Sequence, residues 1–258
     1  MSAHDAGDYG WHLPPGTEPA GGYYQGLPMW AGTARTHEAA LDLVRRYAPP
    51  PGRVLDLGAG AGAFCRRLLD HGYTEVEAVE IRADDFRVPG VPVHALDLNG
   101  PFAEGGRLAV ADAAVALEVL EHLENPWLFG RQCARLVKPG GVLVVSTPNI
   151  ESSRSRVEFL LEGEFRYFGR RDFDGVGHRT ALGAVMLRRV FESGGFEFLE
   201  RTFDVHRRPR APFSARRALR WLLHWLAWPF MRGDKRGEGS VLAFRRSRPK
   251  PEGYPDRL

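Results

Sequence analysis

Apolar residues fall in short blocks along the chain, separated by glycine, proline and charge, and the period within each block assigns an element. Between Thr36 and Tyr47, the residues Ala39, Leu41, Leu43, Val44 and Tyr47 recur at mostly helical spacing, and Pro49, Pro50 and Pro51 stop that helix. Val54, Leu55 and Leu57 read as a buried first strand, and Phe64, Leu68 and Leu69 as a helix ending near Gly72. Glu75 to Glu80 alternates, predicting a second strand, and Val91 to Ala95 is a short third. Ala109 to Leu117 is a fourth strand, apolar nearly throughout, as a strand covered on both faces must be. A helix from about Asn125 to Leu136, a turn at Lys138-Pro139-Gly140-Gly141 and a fifth strand from Val142 to Thr147 follow. Strands separated by helices predict an α/β fold with a doubly wound parallel sheet. The last third differs. Val185 to Phe191 reads as a helix capped by Gly194-Gly195, and two further strands, Phe196 to Phe203 and Ser240 to Phe244, are near enough to pair across an insertion.

Three stretches stand outside this alternation. Residues 1 to about 34 mix glycine and proline with Tyr9, Trp11, Tyr23, Tyr24, Met29 and Trp30, and without periodicity they read as loop, partly disordered. Their functional alternative is a lid over the site. Arg154 to Arg171 interleaves arginine with Phe159, Leu160, Leu161, Phe165, Tyr167 and Phe168. It reads as a substrate cap, with a helix packed on the sheet or a basic-aromatic RNA surface as alternatives. Arg216 to Met231 carries Arg216, Arg217 and Arg220 ahead of Trp221, Leu222, Leu223, Trp225, Leu226, Trp228 and Phe230. That pattern fits a cap over an apolar substrate, a helix lying in a membrane interface, or a dimer contact.

Composition narrows the class. A chain of 258 residues holds one α/β domain with insertions or two small domains, and its 43% apolar and 26% charged residues are those of a soluble globular protein. A net charge of +3 does not by itself call for nucleic acid, but the arginines concentrate after Arg154, so any basic surface is local. The two cysteines, Cys65 and Cys133, sit inside predicted helices without metal-type spacing, which suits a reducing compartment. The first residues resemble no secretory signal, and no apolar run is long enough to span a bilayer. The expectation is a cytoplasmic protein, with peripheral contact to the inner face of the membrane through 216–231 as an open alternative.

The candidate chemistry starts where the first strand ends. Gly58, Gly60 and Gly62 follow Leu57 at alternate positions and lead into the helix that starts at Phe64. Such a loop turns tightly, lets a ligand approach bare peptide groups and presents unpaired N–H groups at the helix start. Gly58, Gly60 and Ala63 also satisfy the G-x-G-x-x-G/A dinucleotide fingerprint. Asp56, inside the strand end, is poorly suited to a pyrophosphate and well suited to a ligand carrying an amino group. Glu80 ends the second strand, where an acidic side chain accepts both hydroxyls of a ribose. Beyond the fourth strand runs Leu117-Glu118-Val119-Leu120-Glu121-His122-Leu123, and a later histidine lies in Gly175-Val176-Gly177-His178-Arg179. Two carboxylates and two imidazoles make a mixed oxygen and nitrogen set suited to Mg²⁺, Mn²⁺, Fe²⁺ or Zn²⁺.

The stretch Arg53 to Phe64 resembles motif I of the class I S-adenosylmethionine-dependent methyltransferases. The Glu118 to His122 text resembles the post-strand motif of small-molecule members, the ubiquinone-biosynthesis O-methyltransferases among them; the small-RNA 2′-O-methyltransferases have a similar Glu-x-x-Glu-His. The resemblance implies a Rossmann-like, doubly wound seven-stranded sheet whose last strands are antiparallel. It spans about residues 36 to 203 and 240 to 246, within a domain of 35–246 that carries cap insertions at about 150–180 and 204–238 and a tail at 247–258. It implies S-adenosylmethionine as cofactor, bound by Asp56, Gly58, Gly60, Gly62, Glu80, Asp97 and Glu118, with Asp97 at the adenine amino group and Leu98 or Asn99 as alternatives there. It also implies that Glu118, Glu121, His122 and His178 hold a divalent metal, or that His178 or His122 acts as general base without one. Thr147-Pro148-Asn149 would form pocket wall, while Ser146 and Cys65 have no convincing partner for nucleophilic work. The function expected is O-methylation of a small molecule or glycan. The partner is then a small-molecule substrate, with no DNA and no RNA expected. Alternatives are 2′-O-methylation of RNA, an NAD-dependent oxidoreductase using the same glycine loop, and a catalytically silent cofactor-binding module acting through its basic helix.

Overall fold

The computed structural model describes residues 18–204 and 214–247. A small hairpin, β1 (Tyr23–Tyr24) and β2 (Leu27–Pro28), precedes α1 (Ala34–Tyr47). Then come β3 (Arg53–Leu57), α2 (Ala63–Asp70), β4 (Glu75–Val79), β5 (Val93–His94), β6 (Ala111–Leu117), α3 (Pro126–Leu136) and β7 (Val137–Pro148). The last part holds α4 (Ser153–Glu162), α5 (Arg170–Val176), α6 (Ala184–Ser193), β8 (Phe196–Phe203), α7 (Ala215–Ala227) and β9 (Gly239–Arg246). Seven strands form one sheet in the order β5-β4-β3-β6-β7-β9-β8. β3, β4, β5, β6 and β7 run parallel, whereas β9 is antiparallel to both β7 and β8. The expected antiparallel ending is therefore present, and β8 and β9 pair across the insertion.

The strands are apolar on both faces because both are covered. Val54 packs in one layer with Phe64, Leu68 and Val44 of α2 and α1. Its neighbours Leu55 and Leu57 pack in the other layer with Phe129 of α3 and Leu187 and Phe191 of α6. Successive side chains of one strand thus enter different cores, the period of two that an extended chain imposes. Asn125 caps α3 by accepting from the Leu128 amide at 2.9 Å, with Pro126 in the first turn.

Two boundaries shift for physical reasons. The expected turn at Lys138-Pro139-Gly140-Gly141 lies inside β7, because the register jumps from Ala111 opposite Val137 to Ala113 opposite Val142 and the surplus residues bulge outward around Gly140 at φ +82. The third strand shrinks to Val93–His94, since only Ala78 and Val79 of β4 pair with it.

Larger corrections concern the flanking segments. Residues 1–17, with Tyr9 and Trp11, lie outside the described residues, but residues 18–33 are packed and not loose. Met29 and Ala31 are buried, and Tyr24 and Gln25 donate to Asp70 at the end of α2, at 2.9 and 2.7 Å. The Arg154 to Arg171 segment is no single helix on the sheet. It forms α4, a loop and the start of α5, and Phe159, Leu160 and Leu161 of α4 are exposed. The tail from 248 onward also lies outside the described residues.

Candidate active site

β3, β4, β6 and β7 end at one edge of the sheet, and their parallel direction places every sequence-predicted site residue there or on the loops above it. The glycine loop is tied to β4 by its backbone: the amides of Gly58 and Ala59 both donate to the Val79 carbonyl, at 2.8 and 3.1 Å. Glu80 reaches back, accepting from the Gly60 amide at 2.8 Å on one carboxylate oxygen and from the Arg82 amide at 3.2 Å on the other. Gly58 has φ +83, and a Cβ there would lie 2.5 Å from Cγ2 of Val119. Only glycine lets the loop and the segment after β6 approach so closely. Trp30 stands over the loop, with Cδ1 3.7 Å from where a Gly60 Cβ would be, so a described part of the N-terminal segment does border the site.

Asp56 is 2% exposed, and the Cys65 thiol donates to its Oδ2 at 3.2 Å. Burial raises its carboxyl to about 7, with Glu80 adding to the rise and the Cys65 hydrogen bond opposing it. Such a carboxyl ionises readily only when a positive group arrives. Asp97 is exposed and its Oδ1 caps the Asn99 amide at 2.8 Å, whereas Leu98 is buried against the glycine loop, its Cδ1 3.8 Å from a Cβ placed on Gly58. Leu98 thus borders the glycine loop, and Asp97 sits in the turn next to it.

Glu118 has φ +55, a left-handed conformation uncommon for a side-chain-bearing residue and characteristic of constrained sites. Ser146 over-determines it: the Glu118 amide donates to the Ser146 hydroxyl oxygen at 2.9 Å, and that hydroxyl donates to Glu118 Oε1 at 2.6 Å. Burial raises the Glu118 carboxyl to about 7, against the Ser146 hydrogen bond. Ser146 and Cys65, given no part in nucleophilic work, are the hydrogen-bond donors to the buried carboxylates Glu118 and Asp56.

The remaining expected ligands come together without Glu118. Glu121, His122 and His178 each offer a ligand atom within 4.8 Å of the others. Glu121 is 0% exposed, and its carboxyl lies beside the Thr147 hydroxyl without a hydrogen bond of good geometry. Burial, then the Glu118 charge, pushes its carboxyl well above the usual range. Its carbonyl accepts from the amides of Arg179 and Thr180, at 2.7 and 2.9 Å, and that pair pins the distant His178 loop to the post-β6 turn. His122 Nδ1 faces the Gly177 carbonyl at 3.3 Å, and His178 Nδ1 faces the Tyr167 carbonyl at 2.7 Å. With Nδ1–H donated to the Tyr167 carbonyl, Nε2 of His178 keeps its lone pair, while His122 is held by the backbone at Gly177 and Val176. The rings meet edge to face at 4.9 Å. Burial lowers both imidazoles, His122 to about 3, so both are neutral at physiological pH.

Of two further contributors, Tyr167 lies in the segment read as a cap and Glu238 carried no signal in the sequence. Tyr167 (φ +68) supplies the carbonyl that orients His178, and its hydroxyl donates to Glu238 at 2.9 Å. Glu238, nearly buried, also accepts from Arg154 at 2.7 Å and Arg166 at 2.8 Å. That clasp ties the cap to the start of β9.

A sheet of this order, with an acidic residue before the glycine loop and a second on the next strand, defines a cofactor-binding methyltransferase fold. A family model described as a methyltransferase domain matches residues 32–201, and the chain belongs to this family, the class I S-adenosylmethionine-dependent methyltransferases. The chain is 32% identical over 120 residues to a ubiquinone biosynthesis O-methyltransferase of Xanthomonas campestris, a match covering 40% of this chain and 46% of the relative. To the enzyme of the same description from Maricaulis maris it is 35% identical over 108 residues, covering 38% and 41%. The chain thus spans less than half the length of these curated relatives. A putative methyltransferase structure from Bacillus halodurans superposes with a TM-score of 0.56 at 16% identity, over 82% of this chain and 100% of the other, and shows the same fold. Among the described residues, no helix is long and apolar enough to cross a membrane.

Proposed function

We propose that this protein transfers the methyl group of S-adenosylmethionine to an oxygen of a small molecule, using a divalent cation held by Glu121, His122 and His178. The observation that carries the metal is Glu121: a fully buried carboxyl with only the Thr147 hydroxyl beside it and no well-formed hydrogen bond, within 4.8 Å of ligand atoms of two neutral imidazoles. Nitrogen ligands oriented by a second hydrogen bond, as His178 is by the Tyr167 carbonyl, are the usual arrangement at metal centres. A cation held there would lower the pKa of a substrate hydroxyl. The same low basicity makes either histidine a poor general base, which is why ligation is preferred here to base catalysis by His178 or His122.

On the cofactor side, the sulfonium methyl is already electrophilic, so the protein's task is alignment. Asp56 would receive the amino end of the cofactor and Glu80 its ribose, while Gly58, Gly60 and Gly62 leave room for its backbone-facing edge. Asp97 and Leu98 would border the adenine. Glu118, held by Ser146, belongs to this cofactor side and not to the metal set. The name of the curated relatives, ubiquinone biosynthesis O-methyltransferases, favours a small-molecule acceptor over RNA. The β8–β9 pairing and the family membership remove the support for a nicotinamide-dependent oxidoreductase.

The test is incubation of the purified protein with methyl-labelled S-adenosylmethionine and separate pools of phenols, glycans and RNA, with and without chelator. Label is expected in a small-molecule product, lost on chelation and restored by one of Mg²⁺, Mn²⁺, Fe²⁺ or Zn²⁺. Glu121→Gln should weaken metal affinity by about 10–100-fold while leaving adenosylhomocysteine binding in place. Label indifferent to chelator would retire the metal and return His178 to the role of base. Label confined to RNA would overturn the substrate class.

A further inference from the structure

The helix α7 is built inside out. Two of its polar residues face the protein: Arg220 is ion-paired with Glu158 and Glu162 of α4, and His224 is 3% exposed, packed against Trp225 and Trp228. Most of its large apolar residues face away, Leu223 alone being half-buried. Leu219, Trp221, Leu222 and Trp225 are exposed, Leu226 is 59% exposed, and Phe230 just beyond is 84% exposed. A surface helix of a globular protein shows the opposite arrangement, because exposing an apolar stripe forfeits roughly 25 cal/mol per Å² that burial would supply. α4, tied to α7 by Arg220, adds exposed Phe159, Leu160 and Leu161. Such a face is made to be covered.

Charge indicates by what. The sequence from 205 to 236 carries nine basic residues (eight arginines and Lys235) against one acidic residue, Asp234. Three of the chain's six tryptophans lie between 221 and 228, and tryptophan favours the boundary between headgroup and acyl chain. Position agrees. The insertion leaves β8 at Phe203 and enters β9 at Gly239, which pairs with Pro148 at the ligand-binding edge of β7. The exposed face therefore springs from the same end of the molecule as the candidate active site. A helix of 13 residues, about 20 Å long, is too short to span a bilayer but suits lying in its surface.

We infer that α7, with the exposed part of α4, docks this protein onto an anionic lipid bilayer, laying the ligand-binding end of the sheet against the leaflet. The inference rests on the α7 face and its charge, and stands apart from the choice of methyl acceptor. If the proposed function holds as well, the acceptor is an amphiphile taken from that leaflet.

The test is co-sedimentation of the full chain with vesicles of phosphatidylcholine alone and of phosphatidylcholine mixed with phosphatidylglycerol. Binding to the mixed vesicles is expected, with a blue shift of tryptophan emission and loss at high salt. Leu222→Glu together with Trp225→Glu should weaken binding at least about tenfold, since both side chains are exposed and their replacement leaves the core intact. Light scattering and adenosylhomocysteine binding of the same variant check that it is folded and keep this result separate from the fate of the methyltransferase reading. No sedimentation with either vesicle, or undiminished sedimentation of the variant, overturns the proposal. A dimer that the two substitutions split, without vesicle binding, would overturn it in favour of a second copy of this chain.

Discussion

The two halves of the site are built by different means. The proposed cofactor half is local: residues 56 to 98 supply the glycine loop, Asp56, Glu80 and Leu98, and backbone amides do much of the positioning. The substrate half is assembled from afar: Glu121 and His122 follow β6, His178 follows α5, Tyr167 orients His178, and Glu238 anchors Tyr167 from the threshold of β9. The first half depends on conformations that only certain backbones adopt. The second depends on buried charges that cancel only when every partner is present. Substitutions should therefore damage the two halves in different currencies: cofactor affinity on one side, turnover and metal affinity on the other.

The largest effect should come from Gly58→Ala. A left-handed alanine is disfavoured by about 1–2 kcal/mol, and its Cβ would press on Val119 Cγ2 at 2.5 Å, adding about 1–3 kcal/mol of overpacking. Stability should fall by roughly 3 kcal/mol, and adenosylhomocysteine affinity by more than about tenfold, in thermal unfolding and calorimetry. Because Val119 belongs to the turn that carries Glu121, this variant strikes both halves at once. An unchanged melting temperature would contradict the packing described between them.

Asp56→Asn separates them by pH. The Asp56 carboxyl is raised from 3.8 to about 7, so the folded state holds its proton more tightly than the unfolded chain does. Its contribution to stability is complete below about pH 4 and lost as pH rises through about 7. The cofactor-free protein should lose stability between about pH 4 and about pH 7, and Asp56→Asn should remove about 2 kcal/mol of that loss while abolishing tight cofactor binding. A melting profile with the same slope in both proteins would mean that Asp56 is not the group that titrates. Glu118, raised to about 7 as well, leaves a residual slope in the variant.

The same division explains how much was legible from the sequence. The doubly wound sheet, β8 at Phe196–Phe203 and the glycine loop could be read because periodicity and glycine spacing are local signals. Glu121, His122 and His178 could be grouped only through a family resemblance, and the grouping included Glu118, whose carboxylate accepts from Ser146 and lies outside the cluster of three ligand atoms. Ser146 sits in an apolar strand and Cys65 in an apolar helix, where both read as core. Their roles appear only once β7 lies beside β6, and α2 over β3. Glu238 lies among residues with no periodic pattern, and nothing before folding distinguishes it from a solvated glutamate. The orientation of α7 was equally hidden. Its pattern is that of any amphipathic helix, and which face turns inward is decided by Glu158 and Glu162, some sixty residues upstream.

Glu238→Gln should disturb the substrate half alone. Burial by itself would raise the Glu238 carboxyl, but Arg154, Arg166 and the Tyr167 hydroxyl draw it below its usual 4.5. Its stabilisation is accordingly present above about pH 4.5 and lost as pH falls below that. Glutamine keeps the shape and removes the charge, leaving two partly buried arginines without their carboxylate, at a cost of about 2 kcal/mol. Tyr167 then loses its anchor, and with it the carbonyl that orients His178. Turnover should drop about tenfold and the metal midpoint should shift, while adenosylhomocysteine affinity stays within about twofold. Equal losses in both would show that the halves are not separable in this way.

Ser146→Ala has the smallest expected effect and asks the sharpest question, because Ser146 sits at the junction. Its hydroxyl donates to Glu118 Oε1 at 2.6 Å and accepts from the Glu118 amide at 2.9 Å, so alanine removes two hydrogen bonds and leaves a residue in a left-handed conformation with less to hold it there. The amide keeps a longer contact with the Ser146 carbonyl at 3.3 Å, which limits the loss to about 1 kcal/mol. Without that donor the Glu118 carboxyl rises further, since the Ser146 hydrogen bond now opposes the effect of burial. If Glu118 serves the cofactor, adenosylhomocysteine affinity should fall a few-fold, more at low pH than at high, with the metal midpoint unmoved. If Glu118 instead completes the metal set, the metal midpoint should move and cofactor affinity should not. Titrating each ligand against the variant across pH therefore decides to which half this carboxylate belongs.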